Sequence, residues 1–195
     1  MITINPLDRL SAWIDEEREF GNSFAHGAVL GTQGEDGMPH TRMLGVSFNR
    51  QKVPKFHTSP TSRKVQDLSC HNVASLTFAF QRRMRSVSLD GFLTPLAEEE
   101  LIDDWKKLER EFQKNYLVFG NRSGEKIHTL QELHSQRDLL LNGAEESRPI
   151  SFIGYKFEII QRISFYSVIE SDFAHHDLYE FDSITQCWIY SLRVP

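Results

Sequence analysis

The sequence predicts a mainly β, α+β fold in which a small antiparallel barrel carries helices on its outside. The β-rich runs are short and separated by turn signals, and few crossovers of helix length lie between them. Parallel pairing would need such a crossover between successive strands, so antiparallel pairing is favoured. The 195 residues, 39% hydrophobic and 25% charged, are ordinary for one globular domain spanning 1–195.

The first half of the chain is expected to be one helix followed by strands. Asn5 is a helix N-cap signal and Pro6 suits the first helical position, with apolar residues at helical spacing as far as about Phe20. Glu35-Asp36-Gly37 separates two β-rich runs, as a hairpin turn does. The predicted strands are Ala28 to Gln33, His40 to Asn49, Val53 to Thr58, Val73 to Gln81 and Arg85 to Leu93.

The second half is expected to be two helices followed by strands. The first helix opens on acidic residues at Ala97 and runs to about Phe112. The second spans about Glu125 to Leu141 and ends at Asn142-Gly143, with a linker from Glu145 to Pro149. The remaining strands are Phe152 to Val168, as one strand or two, Leu178 to Phe181, and Cys187 to Val194.

A short helix between the third and fourth strands carries cations where a helix favours acids. It is predicted from Lys64 to His71 with Thr61 or Ser62 as N-cap, so its first turn holds Arg63 beside Lys64. Free amides and the positive end of the helix dipole repel cations there. A phosphate would reverse that effect, so the sequence predicts a phosphate cradle at this helix end.

Arg42 supports the same prediction. It lies in the middle of a strand whose neighbours are mostly apolar, so its side chain is expected to be half-buried and to need an anionic or carbonyl partner. A bound phosphate would supply one. The alternative is that Arg63 and Lys64 are a solvated surface pair.

Charge and cysteine usage narrow the possible partners and compartment. The net charge is -5, which argues against a nucleic acid as the main partner. Cys70 and Cys187 form no Cys-x-x-Cys motif and fit two structural thiols in a reducing compartment. No signal-peptide core or membrane-spanning stretch is evident, so a cytoplasmic protein is expected.

Several ordered motifs resemble the pyridoxamine 5'-phosphate oxidase family. They are Arg42-Met43-Leu44, Phe56-His57-Thr58, Ser62-Arg63-Lys64, Arg85-Ser86-Val87, Phe165-Tyr166, His175-His176-Asp177 and Leu192-Arg193-Val194-Pro195. The resemblance covers nearly the whole chain and is weakest from about Leu96 to Ser147. It implies an FMN-binding split β-barrel, Greek-key-like, with FMN held across a homodimer interface.

The resemblance also implies a set of cofactor contacts. The FMN phosphate would be held by the strand arginine and the Ser-Arg-Lys turn, and a serine after the barrel would help from the second subunit. Two departures are Ser86 in place of the usual glutamine, and Tyr166 with His176 in place of the late tryptophan and arginine. The implied contacts are Arg42, Met43, Leu44, His57, Thr58, Ser62, Arg63, Lys64, Ser86, Ser123, Tyr166 and His176.

The residues at the family's substrate-binding positions differ more from the family pattern. Ser47 stands where the family has a lysine, and Asp172 and Ala174 stand where it has an Arg-x-His pair. The family's tyrosine, arginine and serine have no equivalent between Asp104 and Phe112. This pocket would be neutral or acidic, so a phosphorylated pyridoxamine is expected to bind poorly.

Two functions therefore remain open from the sequence. One is a homodimeric FMN-dependent oxidoreductase acting on a small molecule, as oxidase or reductase. The other is a flavin- or haem-binding split barrel that stores, senses or scavenges without turnover. A metal site at His175-His176-Asp177 is disfavoured because adjacent strand residues point to opposite faces, and no metal is expected.

Overall fold

The computed structural model describes residues 5–140 and 147–195, which form one nine-stranded antiparallel sheet and five helices. The helices are α1 (Pro6–Glu19), α2 (Arg63–Cys70), α3 (Glu98–Lys107), α4 (Arg110–Phe119) and α5 (Leu130–Leu139). The strands are β1 (Gly27–Gln33), β2 (Pro39–Gly45), β3 (Ser47–Phe48), β4 (Pro54–Thr58), β5 (Val73–Phe80), β6 (Arg85–Pro95), β7 (Ile153–Ser167), β8 (His175–Asp182) and β9 (Cys187–Arg193).

The long strand β7 divides the sheet. The strands lie in the order β2-β1-β5-β6-β7-β4-β3. One edge of β7 pairs with β6 along most of its length, while the other edge pairs first with β4 and then with β8. Residues 153–156 and 162–167 of β7 therefore belong to two different branches of the sheet. The predicted mainly β split barrel with flanking helices is confirmed.

The main core lies between the curled sheet and α1. Side chains from four neighbouring strands are completely buried there: Leu30, Leu76, Phe78, Val87, Leu89 and Ile163. Helix α1 adds its apolar stripe, of which Leu10 and Ile14 are almost fully buried. The spacing of that stripe, and the Asn5 side chain that accepts from the Leu7 amide at 3.1 Å, follow the sequence prediction.

A second apolar cluster holds α3 and α4 against the start of β7. Trp105 of α3 and Tyr116 of α4 both pack edge-on against the buried Phe152. The predicted single helix from Ala97 to Phe112 is wrong, because the backbone is extended at Leu108 and α4 begins two residues later. This break lets two helices reach one ring from different directions, whereas Phe112 is exposed.

Other predicted boundaries also shift. The strand predicted from His40 to Asn49 is interrupted at Val46, and β8 extends beyond the predicted Leu178 to Phe181 at both ends. The second predicted helix begins at Leu130 rather than Glu125, and its predicted end at 142–143 lies outside the described residues. Phe152 to Val168 forms a single strand apart from its ends.

Three further predictions have clear outcomes. The Glu35-Asp36-Gly37 turn joins β1 to β2, with Gly37 at a φ of +78° that favours glycine. The thiols of Cys70 and Cys187 are free and exposed, so neither contributes to the core. Within the described ranges, no helix combines the length and apolarity needed to cross a membrane.

Gly91 lies at an irregularity in the β6–β7 ladder. Substitution of this glycine tests how closely the two strands pack there. A Cβ at Gly91 would lie 2.1 Å from the Ile159 carbonyl oxygen, a backbone atom that can move only with its strand. We expect Gly91→Ala to lower the free energy of unfolding by about 1–3 kcal/mol, measured by urea denaturation.

Gly31→Ala is the matched control on β1, because the added Cβ would meet no atom closer than 3.7 Å. This control should be neutral or stabilising by about 0.4–1 kcal/mol, since alanine restricts the unfolded chain. Equal unfolding free energies for the two variants would contradict the close approach at Gly91.

Candidate functional site

Helix α2 begins as the sequence predicted, with two cations in its first turn. Ser62 is the N-cap, and Arg63 and Lys64 are the first two helical residues. No acidic residue lies in that turn. The Ser62 hydroxyl caps no backbone amide and instead lies 3.0 Å from the Thr58 hydroxyl. The first-turn amides of α2 therefore have no capping bond from the Ser62 side chain.

Arg42 has an internal anion as its partner. Its guanidinium donates to the Thr32 hydroxyl at 2.6 Å and to the Leu30 carbonyl at 3.3 Å. It also donates to a carboxylate oxygen of Asp67 at 3.3 Å. The prediction that a half-buried arginine here needs an anionic or carbonyl partner is confirmed, and α2 itself supplies the anion.

Asp67 links Arg42 to the first turn of α2 through a histidine. The carboxylate accepts from the Thr32 hydroxyl at 2.6 Å and from His40 Nδ1 at 3.0 Å. His40 Nε2 in turn accepts from Arg63 at 2.6 Å, which requires the neutral tautomer protonated at Nδ1. Burial alone would raise the pKa of Asp67, but these hydrogen bonds outweigh burial and hold the pKa below its ordinary value.

Lys64 turns the other way from Arg63, towards the end of β4. Its ammonium donates to the Thr58 hydroxyl at 3.0 Å. Burial lowers the pKa of Lys64, and the nearby charge of Arg42 lowers it further. Burial also lowers the pKa of Arg42, with a smaller contribution from Arg63 in the same direction. Arg42 therefore lies close enough to both other cations to be repelled by them.

We call Arg42, Thr58, Ser62, Arg63 and Lys64 the cradle. It holds three cations, and the carboxylate paired with them is Asp67. Among these four ionised groups the positive charges exceed the negative by two, beside the uncapped end of α2. Glu35 and Asp36 also line the pocket that Arg63 lines. A phosphate monoester carries about 1.5 to 2 negative charges at neutral pH, so the surplus and the free amides fit such a group.

The predicted flavin contacts that adjoin the cradle in sequence have side chains that face different surroundings. Leu44 is on the same face of β2 as Arg42 and packs on the core, whereas Met43 points outward and is 67% exposed. His57 lies on the opposite face of β4 from Thr58, because successive strand residues alternate. The structure therefore places its imidazole in a different pocket.

That pocket lies between β3, β4 and α3, has a volume of about 610 Å³, and is called the α3 pocket. At its inner wall, Asp104 of α3 accepts from Lys55 Nζ at 2.6 Å and from His57 Nε2 at 2.9 Å. These three side chains are largely buried. Burial lowers the pKa of His57 despite the nearby carboxylate, and the two donors hold the pKa of Asp104 low although burial opposes this.

Three other predicted flavin contacts form a separate group at the far end of the sheet. Ser86 lies opposite Tyr166 across β6 and β7, and Tyr166 lies opposite His176 across β7 and β8. Ser86 and Tyr166 line a pocket of about 340 Å³, and His176 Nε2 lies 2.8 Å from the Ser164 hydroxyl. Strand β6 is three strands from β2, which is roughly 14 Å across a sheet.

Ser123 lies in the turn after α4, in a third pocket with Phe119 and Leu133. This turn begins at Gly120, whose carbonyl accepts a hydrogen bond from the buried Ser59 hydroxyl. Ser59 follows Thr58 directly, so the turn is tied to the cradle of its own chain. The contact of Ser123 with FMN bound to a second subunit stays a prediction.

The three predicted substrate residues lie in two places. Ser47 lines the α3 pocket and lies opposite Lys55 across β3 and β4. Asp172 is exposed in the turn before β8, and Ala174 is partly buried at the end of that turn. The structure does not bring Ser47 and Asp172 into a common pocket among the described residues.

Several residues in these sites were missed by sequence reasoning. Asp67 lies four residues after Arg63, a spacing that places both on one face of the helix, and the structure joins them through His40 rather than directly. His40 and Thr32 are cross-strand partners in β1 and β2, which becomes visible only once the hairpin register is known. Lys55 and Asp104 are 49 positions apart and had no sequence signal.

Comparisons of the sequence find relatives along the whole chain, although no protein-family model matches it. A pyridoxine/pyridoxamine 5'-phosphate oxidase from Leptospira biflexa is 26% identical over 194 residues, which cover 98% of this chain and 89% of the relative. The protein of that name from Mycolicibacterium smegmatis is 31% identical over 104 residues, covering 53% of this chain and 45% of the relative.

Solved structures share the fold. PhzG from Burkholderia lata, in complex with tetrahydrophenazine-1-carboxylic acid, gives a TM-score of 0.87 at 21% identity and covers 98% of this chain and 93% of its own. A pyridoxamine 5'-phosphate oxidase-related, FMN binding protein from Nostoc punctiforme gives 0.81 at 14% identity and covers 100% of both chains. These comparisons confirm the resemblance seen in the sequence: the chain is similar to pyridoxine/pyridoxamine 5'-phosphate oxidases and shares the fold of the two solved structures.

Proposed function

We propose that this protein is an FMN-dependent oxidoreductase that acts on an unphosphorylated small molecule. The observation that carries the proposal is the cradle, where Arg42 is repelled by Arg63 and by Lys64 beside uncapped helix amides, and Asp67 is the carboxylate paired with Arg42. A bound anion would offset this repulsion and accept hydrogen bonds from the free amides. The phosphate of FMN matches its charge.

The chemistry of the reaction would come from the cofactor, while the chain binds and orients. A bound flavin accepts two electrons from a substrate and passes them on. Arg42, Arg63 and Lys64 would hold its phosphate, with the Thr58 and Ser62 hydroxyls beside them. The FMN binding relative from Nostoc punctiforme supports this choice of cofactor.

We also propose that the functional unit is a homodimer with FMN between the subunits. Eight of the twelve expected flavin contacts fall into two groups within one chain, the cradle and the group of Ser86, Tyr166 and His176. A partner could bring its second group to the cradle. The second group is bordered by exposed apolar side chains suited to an interface: Met84, Val168, Ile169 and Phe173.

The substrate is proposed to lack a phosphate because the pocket beside Ser47 has no free cationic surplus. Its nearest cation, Lys55, is already paired with Asp104 at 2.6 Å. PhzG, solved in complex with tetrahydrophenazine-1-carboxylic acid, is an example of this fold with an unphosphorylated ring compound bound. The relatives named for 5'-phosphate substrates represent the other class.

The first test of the cradle compares FMN with riboflavin, which lacks the phosphate. Lys64→Ala or Arg63→Ala should weaken FMN binding about tenfold or more, since a charge-assisted bond is worth roughly 1.5–3 kcal/mol. Riboflavin binding should hardly change. A fluorescence titration measures both, and the visible spectrum of the purified protein shows whether flavin or haem is bound.

Arg18→Ala is the control for this titration, because Arg18 is an exposed α1 residue paired with Asp15. It should leave FMN binding unchanged. Equal losses for FMN and riboflavin in the cradle variants would contradict the phosphate assignment.

The shared site predicts complementation between two defective chains. Lys64→Ala damages the cradle and Tyr166→Ala damages the second group, so either homodimer should bind FMN weakly. Mixed subunits should recover about a quarter of the normal sites, since half of the dimers are mixed and each has one intact site. Titration after unfolding and refolding the mixture together measures the recovery.

Light scattering gives the assembly state in the same samples. A monomer that binds FMN at full affinity would contradict the shared site. So would a dimer in which mixing recovers no site.

The substrate proposal predicts weak oxidation of pyridoxine 5'-phosphate by the FMN-loaded protein. Two missing charge-assisted phosphate contacts would cost on the order of 3–6 kcal/mol, or about two to four decades in kcat/KM. Asp172→Arg combined with Ala174→His should raise that value by restoring cations. Steady-state kinetics measure both proteins, with Asp172→Asn combined with Ala174→Gln as the uncharged control. Wild-type efficiency within about tenfold of a family enzyme would show that other groups bind the phosphate.

A further inference from the structure

The α3 pocket contains a buried histidine whose free nitrogen the proposed function has not used. His57 Nε2 lies 2.9 Å from an oxygen of Asp104, which accepts a hydrogen bond from that nitrogen. This arrangement selects the tautomer in which Nδ1 carries a lone pair. Nδ1 has no hydrogen-bond partner within the described residues, and His57 lines the pocket.

The imidazole is held in place from two sides. Its ring stacks on Phe152 with centroids 4.7 Å apart and planes 14° from parallel. Asp104 is itself fixed by Lys55, whose ammonium reaches both carboxylate oxygens at 2.6 and 2.7 Å. A histidine oriented by a carboxylate, with its other nitrogen free in a cavity, is the arrangement of a general base.

Charge indicates the kind of molecule that would fit this pocket. Three cations and three carboxylates line it, so it has no net charge, unlike the cradle with its surplus of two. The lining charges are Arg50, Lys55, Lys107, Glu100, Asp103 and Asp104. A dianionic phosphate would gain little there, whereas an uncharged hydroxyl or amine could donate its proton to His57.

The α3 pocket and the cradle begin next to each other on β4. His57 faces the pocket and the following residue, Thr58, belongs to the cradle. One residue of a strand spans about 3.3 Å, so the two sites begin at neighbouring backbone positions, while their side chains leave opposite faces of β4.

We propose that His57 is the proton acceptor for an unphosphorylated substrate bound in the α3 pocket, and that Asp104 is its positioning residue. This inference rests on the proposed function, which supplies an oxidised flavin as electron acceptor. The substrate's O–H or N–H proton passes to His57 Nδ1, and its neighbouring C–H bond breaks with the hydride going to the flavin. The substrate thereby loses two electrons and gains a C=O or C=N bond.

The first experiment uses the flavin-free protein and needs no substrate. Long-range ¹⁵N NMR of the histidine rings, with His57 assigned by comparison with His57→Gln, should show protonation at Nε2 and a titration midpoint below 6.5. Charged groups near the ring are Asp104 and Lys55, together with the outer pocket residues Arg50, Glu100, Asp103 and Lys107. Since Asp104 raises the pKa of His57, Asp104→Asn should lower the midpoint further. Protonation at Nδ1, or a midpoint above 6.5, would overturn the assignment.

The second experiment uses the FMN-loaded protein under anaerobic conditions, with pyridoxine as an unphosphorylated alcohol. Pyridoxine should reduce the flavin at least about tenfold more efficiently than pyridoxine 5'-phosphate. His57→Gln should slow this reduction about 10²-fold or more and abolish the rise in rate with pH, with an unchanged flavin spectrum. His134→Gln, an exposed α5 residue, is the control and should behave as wild type.

The results separate the two proposals. Failure to bind FMN contradicts the proposed function. The NMR experiment uses the flavin-free protein, so it would still report the tautomer and titration midpoint of His57. A flavin-loaded protein that prefers the phosphate ester, that pyridoxine does not reduce, or whose reduction is insensitive to His57→Gln would overturn the role proposed for His57.

Discussion

The buried carboxylate of Asp67 is the interaction on which the arrangement of the cradle depends. The carboxylate belongs to α2, and it joins that helix to two strands. Its partners are Thr32 on β1, and His40 and Arg42 on β2. Without it, the half-buried Arg42 would lie near Arg63 with no anion between them. With it, the helix is fixed against the hairpin and its first turn is presented at the sheet edge.

One carboxylate stabilises the cations without neutralising them. Asp67 holds Arg42 directly and Arg63 through a neutral histidine, but Lys64 lies on the other side against hydroxyl groups. The remaining charge is available to a ligand. The protein thereby keeps a positively charged site in an acidic chain of net charge -5.

Strand β4 separates two kinds of electrostatic environment by the alternation of its side chains. Thr58 faces a region with surplus positive charge, and Lys55 and His57 face a pocket in which charges are paired. An anion is favoured on the first face and an uncharged group on the second. A cofactor phosphate and a substrate without phosphate could therefore occupy neighbouring sites without competing.

The sequence by itself determined the local features: the α1 cap and stripe, the β-rich runs, the hairpin turn and the two cations at the start of α2. These depend on spacing within one element, which sequence patterns report directly. Only the tertiary structure decided where α3 ends and what Arg42 and His57 contact. The break after α3 depends on packing against Phe152, and the contacts of His57 depend on Asp104 47 positions away. Such contacts join residues that are far apart in the sequence and meet only when the chain packs. Their spacing therefore leaves no periodic pattern in the sequence.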